Sequence, residues 1–315
     1  MSGENLALVY LTLAKLTTYV GLFALTGACL LRLAIGPRAA RSLGPETPVP
    51  DAWTRRVQTV ATGGAWLVAL AALTRLYAQT YSTFGLDESI GLDLVRVVAL
   101  ESRWGGRWRP QAVAAGLAVV AAVWMTLRPR SSGAWWVVAA SVAGIVVTLP
   151  LTGHAMAMVG SARVSWALQV GHLLAAAAWL GTLAALVMGV LAMVGVGGLK
   201  MDVDRWIAAL VHVFSPLAVV AVGGVLLTGV WTAALYLDRV DALWGTNYGR
   251  VLLLKSALFV AAGAAGAYNW RRVRPRLGRA AASATLLRSA GLELLIAAVL
   301  LLVTGLLVHL PLPGD

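Results

Sequence analysis

Residues 6–35, LALVYLTLAKLTTYVGLFALTGACLLRLAI, hold thirty positions and two charges, Lys15 and Arg32. About 20 apolar residues wound as a helix cross ~30 Å of hydrocarbon, so this run is long enough to span a bilayer. No basic segment precedes it, and no small-residue cleavage site follows a short apolar region. It is therefore expected to be a retained helix and not a signal peptide.

The rest of the chain repeats that pattern. Of 315 residues, 60% are hydrophobic and only 12% charged, with a mean hydropathy of +0.82. A soluble core does not need that much apolar surface, which places the chain in the membrane class. Spanning segments are expected at 6–35, 54–79, 111–128, 134–157, 165–193, 207–236, 249–270 and 286–310. The expected fold is all-α, a polytopic membrane protein with eight transmembrane helices in a lipid bilayer.

The net charge of +12 is unevenly distributed. Fourteen basic residues fall in the connections 1–2, 3–4, 5–6 and 7–8, six of them in Arg271, Arg272, Arg274, Arg276, Arg279 and Arg288. The other side, including both ends of the chain, carries seven basic residues and eight of the thirteen acidic ones. The positive-inside rule then puts both termini outside. The 271–288 cluster reads as an anchor to anionic lipid, with no nucleic acid as partner. Two outer connections are long. Residues 80–110 suggest a short interfacial helix starting near 87–89, with Trp104 and Trp108 at headgroup level, and 237–248 a shorter version of it.

Matching signals recur in the two halves. "LPLTG" (149–153) matches "LPLPG" (310–314), Gly63-Gly64 matches Gly223-Gly224, and Gly106-Arg107 matches Gly249-Arg250. This suggests a 4+4 parallel internal repeat: a first four-helix unit over 1–158, containing the outer interfacial segment 80–110, and a second over 159–315.

Chemistry-bearing residues are few. Cys29 is the single cysteine, so an internal disulfide and a thiolate metal cluster are both excluded. No Ser/His/Asp or paired-carboxylate spacing appears, and no strand precedes a Gly-rich phosphate loop. The chain is not read as an enzyme. Three of its four histidines, His154, His172 and His309, fall toward the outer side, while His212 falls near the inner face. His154, Met156 and Met158 have the spacing His-x-Met-x-Met. Imidazole and thioether together suit copper, above all Cu(I), and suit Mg or Ca poorly. Methionine as apolar filler and a histidine reaching for water are the bland alternatives. Imidazole ligands must be neutral, so copper binding is expected to weaken as pH falls through ~6.5. Lys15, Arg75, Lys255 and Glu293 lie inside expected helices, where ionisable residues usually mark function. Arg75 and Lys15 are expected to reach the interface by snorkelling. Lys255 is expected to pair with Asp238, Asp241 or a helix C-terminus, at a depth different from that of Glu293.

Residues 206–280 resemble the copper-resistance protein D (CopD-type) family. The resemblance rests on "HVFSPLAVVAVGGVLLTGVW", then "TNYGRVLLLKSALFVAAGAAGAYNWRRVRPRL", and after it "LRSAGLELLIAAVLLLVTG"; "GHLLAAAAWLG" (171–181) shares it. It covers helices 5–8 well and helices 1–4 loosely. It implies a multi-pass protein of the bacterial inner membrane that takes up copper, Cu(I) or Cu(II), from a periplasmic copper-binding partner of the CopC type. By position, His172 matches the family's helix-5 histidine, and Lys255 and Glu293 its intramembrane charges. The expected function is copper transport. Two other readings stay open: a haem b electron-transfer protein, which would need two histidines at one depth, and a scaffold holding a copper chaperone without transport.

Overall fold

The computed structural model describes residues 3–44, 47–85, 90–153, 161–194, 200–237, 239–277, 282–308 and 310. Among them every regular element is helical and no strand occurs. Eight helices are long and apolar enough to cross a membrane: α1 Val9–Leu43, α2 Asp51–Phe84, α3 Arg103–Leu127, α4 Ser132–Thr152, α5 Ala162–Met193, α6 Val203–Tyr236, α7 Asn247–Arg276 and α8 Ala284–Leu307. The fold is the all-α, eight-span membrane architecture the sequence implies.

Several helices extend beyond their apolar runs. α3 starts at Arg103 instead of near 111 because Ser102 Oγ accepts from Gly105 N at 2.9 Å, capping the first turn. Thr246 does the same for Gly249 N at 3.0 Å at the start of α7. In each case a short helix folds back onto the capped end. Gly105 lies against the carbonyls of Val98 and Ala99, and Gly249 against Ala242 and Leu243. A Cβ at either glycine would overlap that backbone. The two capped ends share this geometry at a constant separation of 144 positions, Ser102 to Thr246 and Gly105 to Gly249.

The interfacial segment holds a short helix, Leu92–Arg96, continued by a π turn, Val97–Glu101. The expected start at 87–89 lies outside the described residues. Trp104 and Trp108 stack at 6.2 Å. Trp108 is buried within the protein, and its Nε1–H donates to Ala72 O on α2 at 3.1 Å. The indole N–H needs an acceptor, and packing against α2 supplies one.

The bundle is organised around α1 and α5. α1 packs on α2, α4, α5, α6 and α8; α5 packs on α1, α2, α4, α6 and α8. Their contact is backbone to backbone, since a Cβ on Gly27 would overlap the carbonyl of Gly181, and one on Gly181 the carbonyl of Phe23. Small residues at such crossings let membrane helices gain dispersion and weak polar contacts, because lipid offers no hydrophobic gain for association. Gly21 and Gly64 repeat the device between α1 and α2. Between α5 and α6, Gly224 faces the Cβ of Ala175, so that pair stands wider. At the Arg-rich end, Trp53 of α2 and Trp206 of α6 meet edge to face at 6.2 Å. α7 is peripheral and packs mainly on α8. Its outward apolar face is suited to lipid.

Candidate functional site

α5 carries Ser165, Gln169 and His172 at i, i+4 and i+7, one helical face turned toward α6. Ser165 Oγ and Tyr236 OH are 2.8 Å apart, and Gln169 Nε2 donates to the same phenol at 3.1 Å. Two turns into the bundle, His172 Nδ1 lies 3.0 Å from Thr228 Oγ1. Donor accounting assigns the tautomer. A threonine hydroxyl has one hydrogen, and that of Thr228 goes to Gly224 O at 2.6 Å. With that hydrogen on Gly224 O, Thr228 accepts from His172, the arrangement in which Nδ1 carries the proton and Nε2 keeps its lone pair. This is how a second-shell hydrogen bond prepares an imidazole as a metal ligand. The ring lies over Gly229, where a Cβ would come within 3.4 Å of His172 Cε1.

Lys255 of α7 is the charged group that acts on His172. No carboxylate among the described residues pairs with it. Asp241, one expected partner, pairs instead with Arg239 at 3.1 Å, a neighbour two residues away in its own turn. Asp238, the other, lies outside the described residues. His154, Met156, Met158 and His309 also lie outside them. Their approach is described: α4 ends in a 3₁₀ turn, Leu149–Thr152, and Gly153 is extended. α4 thus stops as an α-helix before the expected 157, and Pro150 explains the change of winding. Among the described residues no three His, Cys, Asp or Glu side chains converge as a metal site. His212 lies apart from His172. It is exposed, its Nδ1 bonds Ala208 O at 2.7 Å, and it borders a cavity of about 350 Å³ with Trp270, Arg271, Arg274 and Pro275.

Beneath the α4–α5 hairpin lie two cations. Arg75 is 4% exposed and does not snorkel. Its Nη1 donates to Gln111 Oε1 at 2.7 Å and its Nη2 to Thr152 Oγ1 at 2.5 Å. These neutral acceptors from α3 and α4 satisfy the guanidinium inside the bundle, which removes the need to reach water. Lys15 is also buried, and a Cβ on Gly153 would sit 3.7 Å from its Nζ. The Arg75 charge acts on both Lys15 and Tyr19. Each side of the bundle thus carries buried positive charge, Arg75 and Lys15 on one and Lys255 beside His172 on the other.

Glu293 of α8 forms a separate cluster and is 3% exposed. Trp179 Nε1 donates to its Oε1 at 3.1 Å and Asn269 Nδ2 to its Oε2 at 3.0 Å. Both donors sit in π turns, Ala177–Gly181 on α5 and Asn269–Val273 on α7, where the widened winding turns a side chain inward. Trp179 is held edge to face on Phe259 at 5.9 Å. Thr228 and the donor role of Asn269 were not apparent from the sequence. The one available signal was a polar residue within an apolar run.

The family model described as "Copper resistance protein D-like, N-terminal domain" matches residues 6–164, about half of the chain, and "Copper resistance protein D" matches 208–307. The "Copper transport protein CutJ" of Bacillus subtilis (strain 168) is 31% identical over 212 residues, covering 65% of this chain and 38% of that protein. The chain therefore spans well under half of that relative's length. No solved structure matches the chain significantly. With eight helices long and apolar enough to cross a membrane and both family models on one chain, this multi-pass membrane protein belongs to the copper resistance protein D family.

Proposed function

We propose that this protein carries copper across the bacterial inner membrane, in the direction of uptake. Copper arrives at the outer end, where α4 and α5 are joined. His154, Met156 and Met158 receive it there, His172 takes it two turns down α5, and His309 contributes from α8. The observation that carries this reading is the His172–Thr228–Gly224 chain, which leaves Nε2 as a ready ligand on the seam between α5 and α6. The soft His/Met set fits copper, in either oxidation state, better than a hard cation. The charge asymmetry of the connections supports both termini facing outward. The recurrent cap-and-glycine geometry at 144 positions supports two four-helix units, 1–158 and 159–315. Copper is supplied by a small periplasmic copper-binding protein of the CopC type.

Copper uptake into sealed vesicles tests the proposal. His172→Ala and His154→Ala should each reduce uptake at least about tenfold. Wild-type uptake in both variants would overturn it. A visible spectrum of the same sample gives a separate check, since a haem Soret band would favour electron transfer over transport.

A further inference from the structure

Glu293 is a carboxyl group inside the membrane with two hydrogen-bond donors and no cation partner among the described residues. The charged and imidazole side chains on the helices packed around it are Lys15, Arg32, Arg38 and Arg41 on α1, Arg163 and His172 on α5, Asp204, Arg205 and His212 on α6, Arg250, Lys255, Arg271, Arg272, Arg274 and Arg276 on α7, and Arg288 on α8. None of them is among the groups acting on its carboxyl, which are Trp179 and Asn269. The copper path described above does not use it.

The two carboxyl oxygens are not equivalent. An indole N–H donates only, so Trp179 fixes Oε1 as an acceptor in either protonation state. Asn269 has both an NH₂ and a carbonyl. Its Nδ2 serves Oε2, while its Oδ1 is buried without a hydrogen-bond partner. If Oε2 takes a proton it becomes an O–H donor, and a half-turn of the Asn269 amide brings Oδ1 round as the acceptor. The carboxylate is then matched by Nδ2–H and the carboxylic acid by Oδ1, without movement of a helix. A buried polar atom without a partner calls for an explanation. Here the orphaned Oδ1 is the acceptor held for the second state.

The surroundings provide an exit. The residue after Asn269 is Trp270, which with Arg271, Arg274, Pro275 and His212 borders the cavity of about 350 Å³ at the Arg-rich end. On the other side, Trp179 is seven residues along α5 from His172, about 10 Å at 1.5 Å per residue and on the same helical face.

We propose that Glu293 Oε2 is a proton-binding site, that the Asn269 amide turns over as the proton is bound and released, and that this site couples copper movement to protons. The balance is one proton added to the carboxylate from water at the Arg-rich end and one lost when the acid releases it. No electron is transferred. Intramembrane carboxyl groups serve as proton relays in pumps and transporters, and this one has the partners needed for both of its states. The coupling rests on the copper-transport reading; the proton site does not.

The test uses the full chain in sealed proteoliposomes, with copper alone as the probe. Copper entry is followed by mass spectrometry, internal pH by an entrapped dye, and carboxyl protonation by infrared difference spectroscopy across a pH series. The expected result for the wild type is a protonated-carboxyl C=O band that titrates, and proton movement that depends on copper. In Glu293→Gln, which keeps the shape and an acceptor for Trp179, the band should vanish and copper-dependent proton movement should fall at least tenfold, with equilibrium copper binding unchanged. In Asn269→Leu the band should persist but shift to higher frequency, because the acid loses its acceptor; this arm remains informative if Glu293→Gln does not fold. A band that survives Glu293→Gln, or wild-type proton movement in that variant, overturns the proposal. If wild-type vesicles move no copper while the Glu293 band still titrates, the transport reading and the coupling fail and the proton site stands.

Discussion

Replacing Thr228 with valine tests the assigned role of His172 directly. The substitution is nearly isosteric, but valine can neither accept from Nδ1 nor donate to Gly224 O. The carbonyl of Gly224 also bonds within α6, so the main loss falls on the imidazole. Its Nδ1–H, 3.0 Å from Oγ1 in the native protein, loses that acceptor in the seam between α5 and α6, where the Val225 carbonyl is the backbone group near the ring. The ring has two responses. It can keep the proton on Nδ1 and carry an unpaired buried donor, which costs about 1–3 kcal/mol. Alternatively it can move the proton to Nε2, which removes the lone pair that would bind metal. The first response costs both apo and copper-bound protein and lowers stability; the second lowers the apo state alone and must be reversed on binding, so with 1.4 kcal/mol to a factor of ten it weakens copper binding through His172 by up to roughly 5- to 150-fold. Equilibrium competition against a chelator of known copper affinity, on purified protein, measures this. Thr228→Ser restores the hydroxyl and should restore most of the affinity. Wild-type affinity together with wild-type stability in Thr228→Val would refute both the tautomer assignment and His172 as a ligand positioned by Thr228.

Other outcomes follow from the packing. Gly181→Ala places a methyl group against the Phe23 carbonyl at the α1–α5 crossing, where backbone cannot yield as a side chain would. It should cost about 3 kcal/mol or more, the upper part of the overpacking range, read as a lowered thermal midpoint in detergent. Gly223→Ala meets no atom within 4 Å and should leave that midpoint unchanged. Trp179→Phe keeps an aromatic ring for Phe259 but removes the donor to Glu293 Oε1, with an expected loss of about 1.5–3 kcal/mol. Ser102→Ala and Thr246→Ala remove equivalent caps, so each should cost about 1 kcal/mol and their double variant about the sum, the two sites being on different helices.

Number, length and order of the spans were legible in the sequence, because a membrane helix must satisfy its own backbone and so must be a long apolar run. The helix ends were less so. The start of α3 near 103 depended on Ser102, a single capping hydroxyl upstream of the apolar residues. Depth along a helix was also legible, and it separated the levels of Lys255 and Glu293 before any contact was known. Azimuth was not, since a helix that is apolar on every side gives no periodic signal for which face meets which neighbour. Arg75 shows the consequence. Its depth permits snorkelling, and only the positions of Gln111 and Thr152, 36 and 77 residues away in the chain, keep it inside.

The same reason divides what each level of description decided. The sequence by itself determined that this is an eight-helix membrane protein with the marks of the copper resistance protein D family, and that His172, Lys255 and Glu293 lie within the spans. Which nitrogen of His172 carries the proton, which oxygen of Glu293 can accept one, and why Gly27 and Gly181 have no side chain were decided by the tertiary structure alone. Each depends on a partner from another helix, and the approach of two helices is fixed by side-chain fit across the bundle, not by any pattern along one segment.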